Sequence, residues 1–258
     1  MSAPRRGSLG RLMALLVIAS LSLQLYFLLR VALMIFLDPQ STTFERSEAW
    51  RLAITPRPLV WQQSWVDYGA ISANLKRAVI ASEDAGFTEH SGVEWDALEK
   101  AWERNQRAEA AVDRVNERVA KQDAVRGRPA PQARAAKVVG GSTISQQLAK
   151  NLFLGGERSL VRKAQELVLT WELEAVLGKR RILEIYLNSV EWGEGVFGAE
   201  AASRHYFHVG AAALSVPQAA QLAVMLPAPK RFEKHLGSPY VIGHASTVAA
   251  RMGGVELP

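Results

Sequence analysis

A mostly α-helical domain behind a single membrane-spanning helix is the fold class that three features predict. These are an N-terminal stretch long and apolar enough to cross a bilayer, apolar stripes at spacings of three and four, and no sustained two-residue alternation. The chain has 258 residues, which suits one folded domain of about 150 to 200 residues plus attachments. It contains no cysteine, so a disulfide framework and a thiolate metal site are both excluded.

In chain order, residues 1–11 are an N-terminal segment and residues 12–37 the anchor. The eighteen positions from Leu12 to Leu29 carry no charge, and the apolar character resumes after Arg30 and runs to Leu37. Arg5, Arg6 and Arg11 precede the span and Asp38 follows it, which puts the N-terminus in the cytoplasm and the rest outside. The apolar run is too long for a signal-peptide core, and no A-x-A-like cleavage site follows it. Arg30 is expected to snorkel to the outer interface. Residues 38–67 read as a polar connector, with Trp50, Trp61 and Trp65 suited either to the bilayer interface or to packing a loop.

The main domain is expected over residues 68–230. Ile71, Leu75, Ala78, Val79 and Ser82 share a helical stripe that carries Glu83 to a helix C-terminal end. Leu98, Trp102, Ala108, Val112, Val115 and Val119 mark a charged amphipathic helix from Glu94 to Lys121, with Glu103–Arg107 and Glu117–Lys121 as i,i+4 pairs. The Gly/Pro-rich run from Arg126 closes it. A further stripe from Val161 to Leu177 stops at Gly178, read as a C′ residue. Helices are then expected over Lys179–Asn188, Ala199–Phe207 and Pro217–Leu226. Residues 231–258 form a tail with a last helix around Val248 to Met252.

The net charge is +6, and residues 99–137 hold ten Lys or Arg against six Asp or Glu, so this one segment carries +4 of it. No zinc-finger spacing or RNA-binding signature accompanies that charge, which argues against nucleic acid and for anionic lipid or diphosphate. Gly193 to Gly198 fits G-x-G-x-x-G, but no strand precedes it and no βαβ unit surrounds it, which excludes a dinucleotide site. His205 and His208 lack a third ligand, so no zinc site is expected. No Ser-x-x-Lys occurs, so penicillin-binding transpeptidase chemistry is excluded.

Chemistry concentrates in three blocks. The run Gly140-Gly-Ser-Thr-Ile-Ser-Gln-Gln-Leu-Ala-Lys-Asn151 starts a helix, with Thr143 and Gln146 in capping-box spacing and Ser142, Gln147, Lys150 and Asn151 on its first turns, where an anion is favoured. Upstream stand Glu83, Asp84, Phe87, His90 and Gly92; downstream stand Arg158, Arg162, Lys163 and Glu166. Glu83 beside Asp84 reads as a general base, since a carboxylate neighbour and partial burial raise its pKa. The bland alternative is a solvated acidic pair. For Glu166 it is an intrahelical ion pair with Arg162, worth only about 0.3 to 0.5 kcal/mol.

Together, E-D-x-x-F-x-x-H-x-G, G-G-S-T-I-[ST]-Q-Q and the cationic block resemble the peptidoglycan glycosyltransferase (murein transglycosylase) family, over roughly Leu75 to Pro229. With no penicillin-binding half present, the likeness is to its monofunctional biosynthetic members. The resemblance implies a lysozyme-like helical fold and polymerisation of lipid II into β-1,4 glycan with inversion. Undecaprenyl diphosphate is then released, in a bacterial inner membrane with the catalytic domain periplasmic. It implies that Glu83 deprotonates the acceptor hydroxyl and that Glu166 serves the donor side. Asp84, Ser142, Thr143, Gln146, Gln147, Lys150, Asn151, Arg158, Arg162 and Lys163 then hold substrate, and Phe87, His90 and Gly92 brace the first block. No cofactor is required; a divalent cation is expected to stimulate by screening diphosphate. Expected partners are lipid II, the growing strand, membrane lipid and other wall-synthesis proteins. The chain departs from the family in the long insertion at about 99–137. The competing readings are a cell-wall hydrolase or lytic enzyme and a non-catalytic membrane scaffold.

Overall fold

The computed structural model describes residues 6–56, 60–125, 141–157 and 159–258. Helix α1 (Arg6–Leu33) contains an apolar span, Leu9–Leu33, of 25 residues, long and apolar enough to cross a membrane. Its C-terminal half is packed on the folded domain. Gln24 and Gln165 exchange two amide hydrogen bonds of 2.8 and 3.1 Å, and Phe27 meets the edge of Phe153 at 5.3 Å. Arg30, expected to snorkel, instead lies over the Phe153 ring at 5.2 Å, where the cation–π attraction offsets its placement in an apolar helix. Beyond the helix, Arg181 donates to the Met34 and Leu37 carbonyls and pairs with Asp38 at 2.7 Å.

Part of the expected connector is helical. Helix α2 (Thr43–Ala53) begins at a capping box, in which Thr42 Oγ1 accepts from the Glu45 amide and Glu45 accepts from the Thr42 amide. A short sheet, absent from the sequence expectations, joins β1 (Gln62–Gln63), β2 (Glu191–Gly193) and β3 (Val196–Phe197). β3 lies in the middle, parallel to β1 and antiparallel to β2. Two- and three-residue strands leave no alternation to read. Gly195, at φ +74°, makes the turn possible, because a Cβ there would stand 2.0 Å from the Val60 carbonyl oxygen.

The core is built by α3 (Ala73–Glu83), α9 (Val216–Met225) and α11 (Pro239–Arg251), which pack on one another. Ala219, Ala220 and Ala223 let α9 approach closely, and Leu75, Val79, Val241 and Val248 fill the space between. The C-terminal segment thus holds a 13-residue helix, longer than the turn expected around Val248 to Met252. Its apolar stripe is sparse, which hid its length. Helix α5 (Ile144–Phe153) packs against α6 (Leu160–Val176) and α7 (Lys179–Ser189). Gly178 is not a left-handed C′ residue: at φ −69° it is the N-cap of α7. Helix α8 (Ala199–Phe207) ends at His208 with φ +57°, and α10 (Pro229–Phe232) is a single turn.

Residues 93–143 form a separate compact unit. It holds α4 (Trp95–Val125), longer than the expected Glu94–Lys121 helix. Its stripe residues Leu98, Trp102 and Val115 are exposed.

Candidate active site

Glu83 ends α3 and Asp84 is the C-cap residue, so the two carboxylates leave the same helix end in different directions. Asp84 is buried and spends both oxygens on structure. Oδ1 faces His90 Nε2 at 2.8 Å and Oδ2 accepts the Ile144 amide at 2.9 Å, which caps the first turn of α5. The Gly92 amide donates to His90 Nδ1 at 3.0 Å, so the imidazole carries its proton on Nε2 and donates it to Asp84. Gly92 sits at φ +89°, and a Cβ there would lie 2.7 Å from Thr170 Cγ2. Phe87 is fully buried, with the Lys179 ammonium 4.6 Å from its ring centre. The E-D-x-x-F-x-x-H-x-G block is therefore a brace that pins the end of α3 to the start of α5.

Against this brace Glu83 remains half-buried. Its Oε2 accepts from Gln147 Nε2 at 3.0 Å, while Gln147 Oε1 accepts from the Tyr186 hydroxyl at 2.9 Å. Tyr186 is fully buried, and burial pushes its pKa well up, so it stays a donor and fixes which way the Gln147 amide faces. Burial raises the Glu83 pKa above the ordinary carboxylate range and the Asp84 charge adds to the rise; the Gln147 bond and the Lys150 charge oppose it.

Lys150, on α5, links the two halves of the site. Its side chain is open to solvent, yet crowding by protein atoms draws its pKa down, as it would on the floor of a concavity. Glu166 and Glu83 raise its pKa while Arg162 and Lys163 lower it, which places all four within electrostatic reach of one ammonium. On α6, Ser159 caps the first turn by accepting the Arg162 amide at 3.1 Å. Arg162 reaches Glu166 at 3.3 Å, and Lys163 pairs with the other carboxylate oxygen. Glu166 is buried, so this is a desolvated ion cluster rather than the surface pair that the sequence alone allowed.

Of the expected residues, Glu83, Gln147, Lys150, Arg162, Lys163 and Glu166 converge in this way. Asp84 stands apart from them, buried with both oxygens engaged by His90 and the Ile144 amide. Thr143, Gln146 and Asn151 are buried as well, and Ser142 is exposed. Arg158 lies outside the described residues. Sequence reasoning missed Tyr186, whose contact with Gln147 spans 39 residues. It also missed Glu174, which accepts from Ser145 and from Lys179 at 2.7 Å and ties α5 and α7 to α6. Among the described residues no group of three His, Cys, Asp or Glu side chains is arranged to hold a metal.

Comparison with known proteins gives the family. Residues 56–113 and 124–253 match the family model described as Transglycosylase. The chain is 48% identical over 245 residues to the "Biosynthetic peptidoglycan transglycosylase" of Paraburkholderia xenovorans (strain LB400), covering 95% of this chain and 91% of that protein. It is 50% identical over 240 residues to the protein of the same name from Burkholderia thailandensis, covering 93% of this chain and 84% of that one. With a braced carboxylate facing a cation cluster and a family match across most of its length, the chain belongs to the transglycosylase family of enzymes.

Proposed function

We propose that the chain polymerises lipid II into β-1,4-linked glycan, anchored by α1 in the bacterial inner membrane with its catalytic domain on the periplasmic side. Glu83 takes the proton from the 4-hydroxyl of the acceptor GlcNAc as that oxygen attacks the anomeric carbon of the growing strand. The bond from that carbon to the diphosphate oxygen breaks, inverting the centre, and undecaprenyl diphosphate leaves with the electron pair. Lys150, Arg162 and Lys163 meet its charge, so the leaving group does not depend on a general acid. Glu166 holds Arg162 and Lys163 in place. Divalent cations act as screening ions rather than as a resident cofactor.

The observation that carries this reading is Lys150, coupled at once to the proposed base and to the Glu166 cluster. A hydrolase has no diphosphate to hold and gains nothing from that cation group. The test is incubation of the full-length protein with purified lipid II. Wild type is expected to make polymer, and Glu83→Gln to slow it by about 10²- to 10⁴-fold while remaining folded. Polymer made by Glu83→Gln at the wild-type rate overturns the reading, as does shortening of finished glycan with no polymer formed.

A further inference from the structure

A cavity of about 400 Å³ opens where α3, α9 and α11 meet, and its lining includes Ser82, Val224, Tyr240, His244, Thr247 and Arg251. That volume falls within the range of about 300 to 1,000 Å³ typical of ligand sites. Ser82 is the residue immediately before Glu83, about 3.8 Å along the chain at Cα. The cavity therefore begins on the flank of α3 next to the proposed base, while Glu83 itself faces Gln147 on α5.

The α11 residues Tyr240, His244, Thr247 and Arg251 recur at steps of four, three and four, which makes them one stripe of the helix. All four are exposed, whereas Val241, Ala245 and Val248 on the adjoining face are buried, and Val248 also lines the cavity. Tyr240 stacks between Phe232 at 5.6 Å and His244 at 4.0 Å, which holds the imidazole in place. His244 Nδ1 lies 2.9 Å from the Tyr240 carbonyl oxygen, an acceptor, so Nδ1 carries a proton and Nε2 is left for a ligand. Arg251 forms no ion pair among the described residues, and no carboxylate lines the cavity. Such a lining of hydroxyls, an imidazole and a guanidinium suits a flexible, polar ligand that ends in a carboxylate.

We infer that this groove binds the peptide branch of the acceptor, with Arg251 as the partner of its carboxylates. The inference rests on the polymerase reading above: the acceptor presents its terminal sugar hydroxyl to Glu83, and its peptide hangs from the next sugar, one ring away. Because the peptide itself does not react, the groove serves recognition and registers the acceptor against the base.

The test is titration of the full-length protein in detergent micelles with the free pentapeptide and with the same peptide carrying amidated carboxylates. Wild type is expected to bind the acid form about tenfold more tightly than the amide. Arg251→Gln removes that difference without changing the unfolding temperature, and Arg251→Lys restores part of it. With lipid II as substrate, Arg251→Gln raises KM by about tenfold. Equal binding of acid and amide by wild type overturns the inference, as does an unchanged difference in Arg251→Gln. Glu83→Gln is expected to keep the acid–amide difference although its polymerisation is slowed. A failure of the polymerase reading therefore leaves the peptide titration to decide the groove on its own.

Discussion

Glu83 shows how much a single side chain depends on residues it never touches in sequence. As the proposed base it must be ionised, so activity should fall as pH drops through its folded pKa, which burial holds above the ordinary value of 4.5. Gln147→Leu and Lys150→Met each remove an influence that lowers this pKa, and both should move the acid limb of kcat/KM to higher pH. Asp84→Asn removes a charge that raises it and should move the limb the other way. Three superimposable pH profiles would contradict the assignment of Glu83. At Gly92, alanine meets both the positive φ and the Thr170 methyl, so Gly92→Ala should cost about 1 to 3 kcal/mol, measured by denaturant unfolding. The place of Glu83 at a helix end and the identity of the brace were legible in sequence, since the stripe through Leu75 and Val79 and the local spacing encode both. Burial of Asp84, Gln146 and Asn151 was not, because polar residue type predicts exposure until the partners are known.

Among the elements, α3, α6, α7, α8 and α9 follow directly from their apolar stripes, to within a residue or two at each end. Helix α2 was also written in the chain, as Thr42-x-x-Glu45, but the tryptophans beside it drew the reading toward a connector. The contact of the anchor with α6 could not be read, because Gln24 and Gln165 stand 141 residues apart. Two amides that satisfy each other within an otherwise apolar helix should be coupled. A double-mutant cycle of Gln24→Ala and Gln165→Ala, read by thermal unfolding in micelles, is expected to give about 0.6 to 1.7 kcal/mol. A coupling indistinguishable from zero would show that the anchor is merely a tether.

At the scale of the whole molecule, residues 93–143 fold as their own unit, and the family match is interrupted at 114–123 within it. Deleting residues 107–134 should therefore leave measurable polymerisation in the lipid II assay, and complete loss with retained folding would assign that unit to the chemistry. Global stability carries a pH signature of its own. Burial pushes Glu191 up to about 7, against the opposing charge of Lys230, whose ammonium stands 3.2 Å from it but 2.5 Å from Glu48. The folded chain keeps this proton between pH 4.5 and about 7 while the unfolded chain releases it. Stability from this source is therefore present at acid pH and lost as pH rises, by about 3 kcal/mol in order of magnitude. Glu191→Gln should flatten the fall of Tm between pH 5 and 8, and parallel profiles would refute the assignment.

The docking of α1 also bears on where the spent carrier goes. Gln24 lies nine residues inside the outer end of the span at Leu33, about 14 Å along the helix, and it holds α6 at that level. Leu160 and Val161, at the start of α6, are 90% and 81% exposed. If the span crosses a bilayer as proposed, these apolar side chains would meet acyl chains rather than water. Arg162 and Lys163 follow directly on these two residues, so on the proposed function a departing polyprenyl tail would not have to be lifted out of oil to leave them. On that reading each turnover would discharge its by-product sideways into the leaflet, with no hydrophobic penalty for dissociation of the tail.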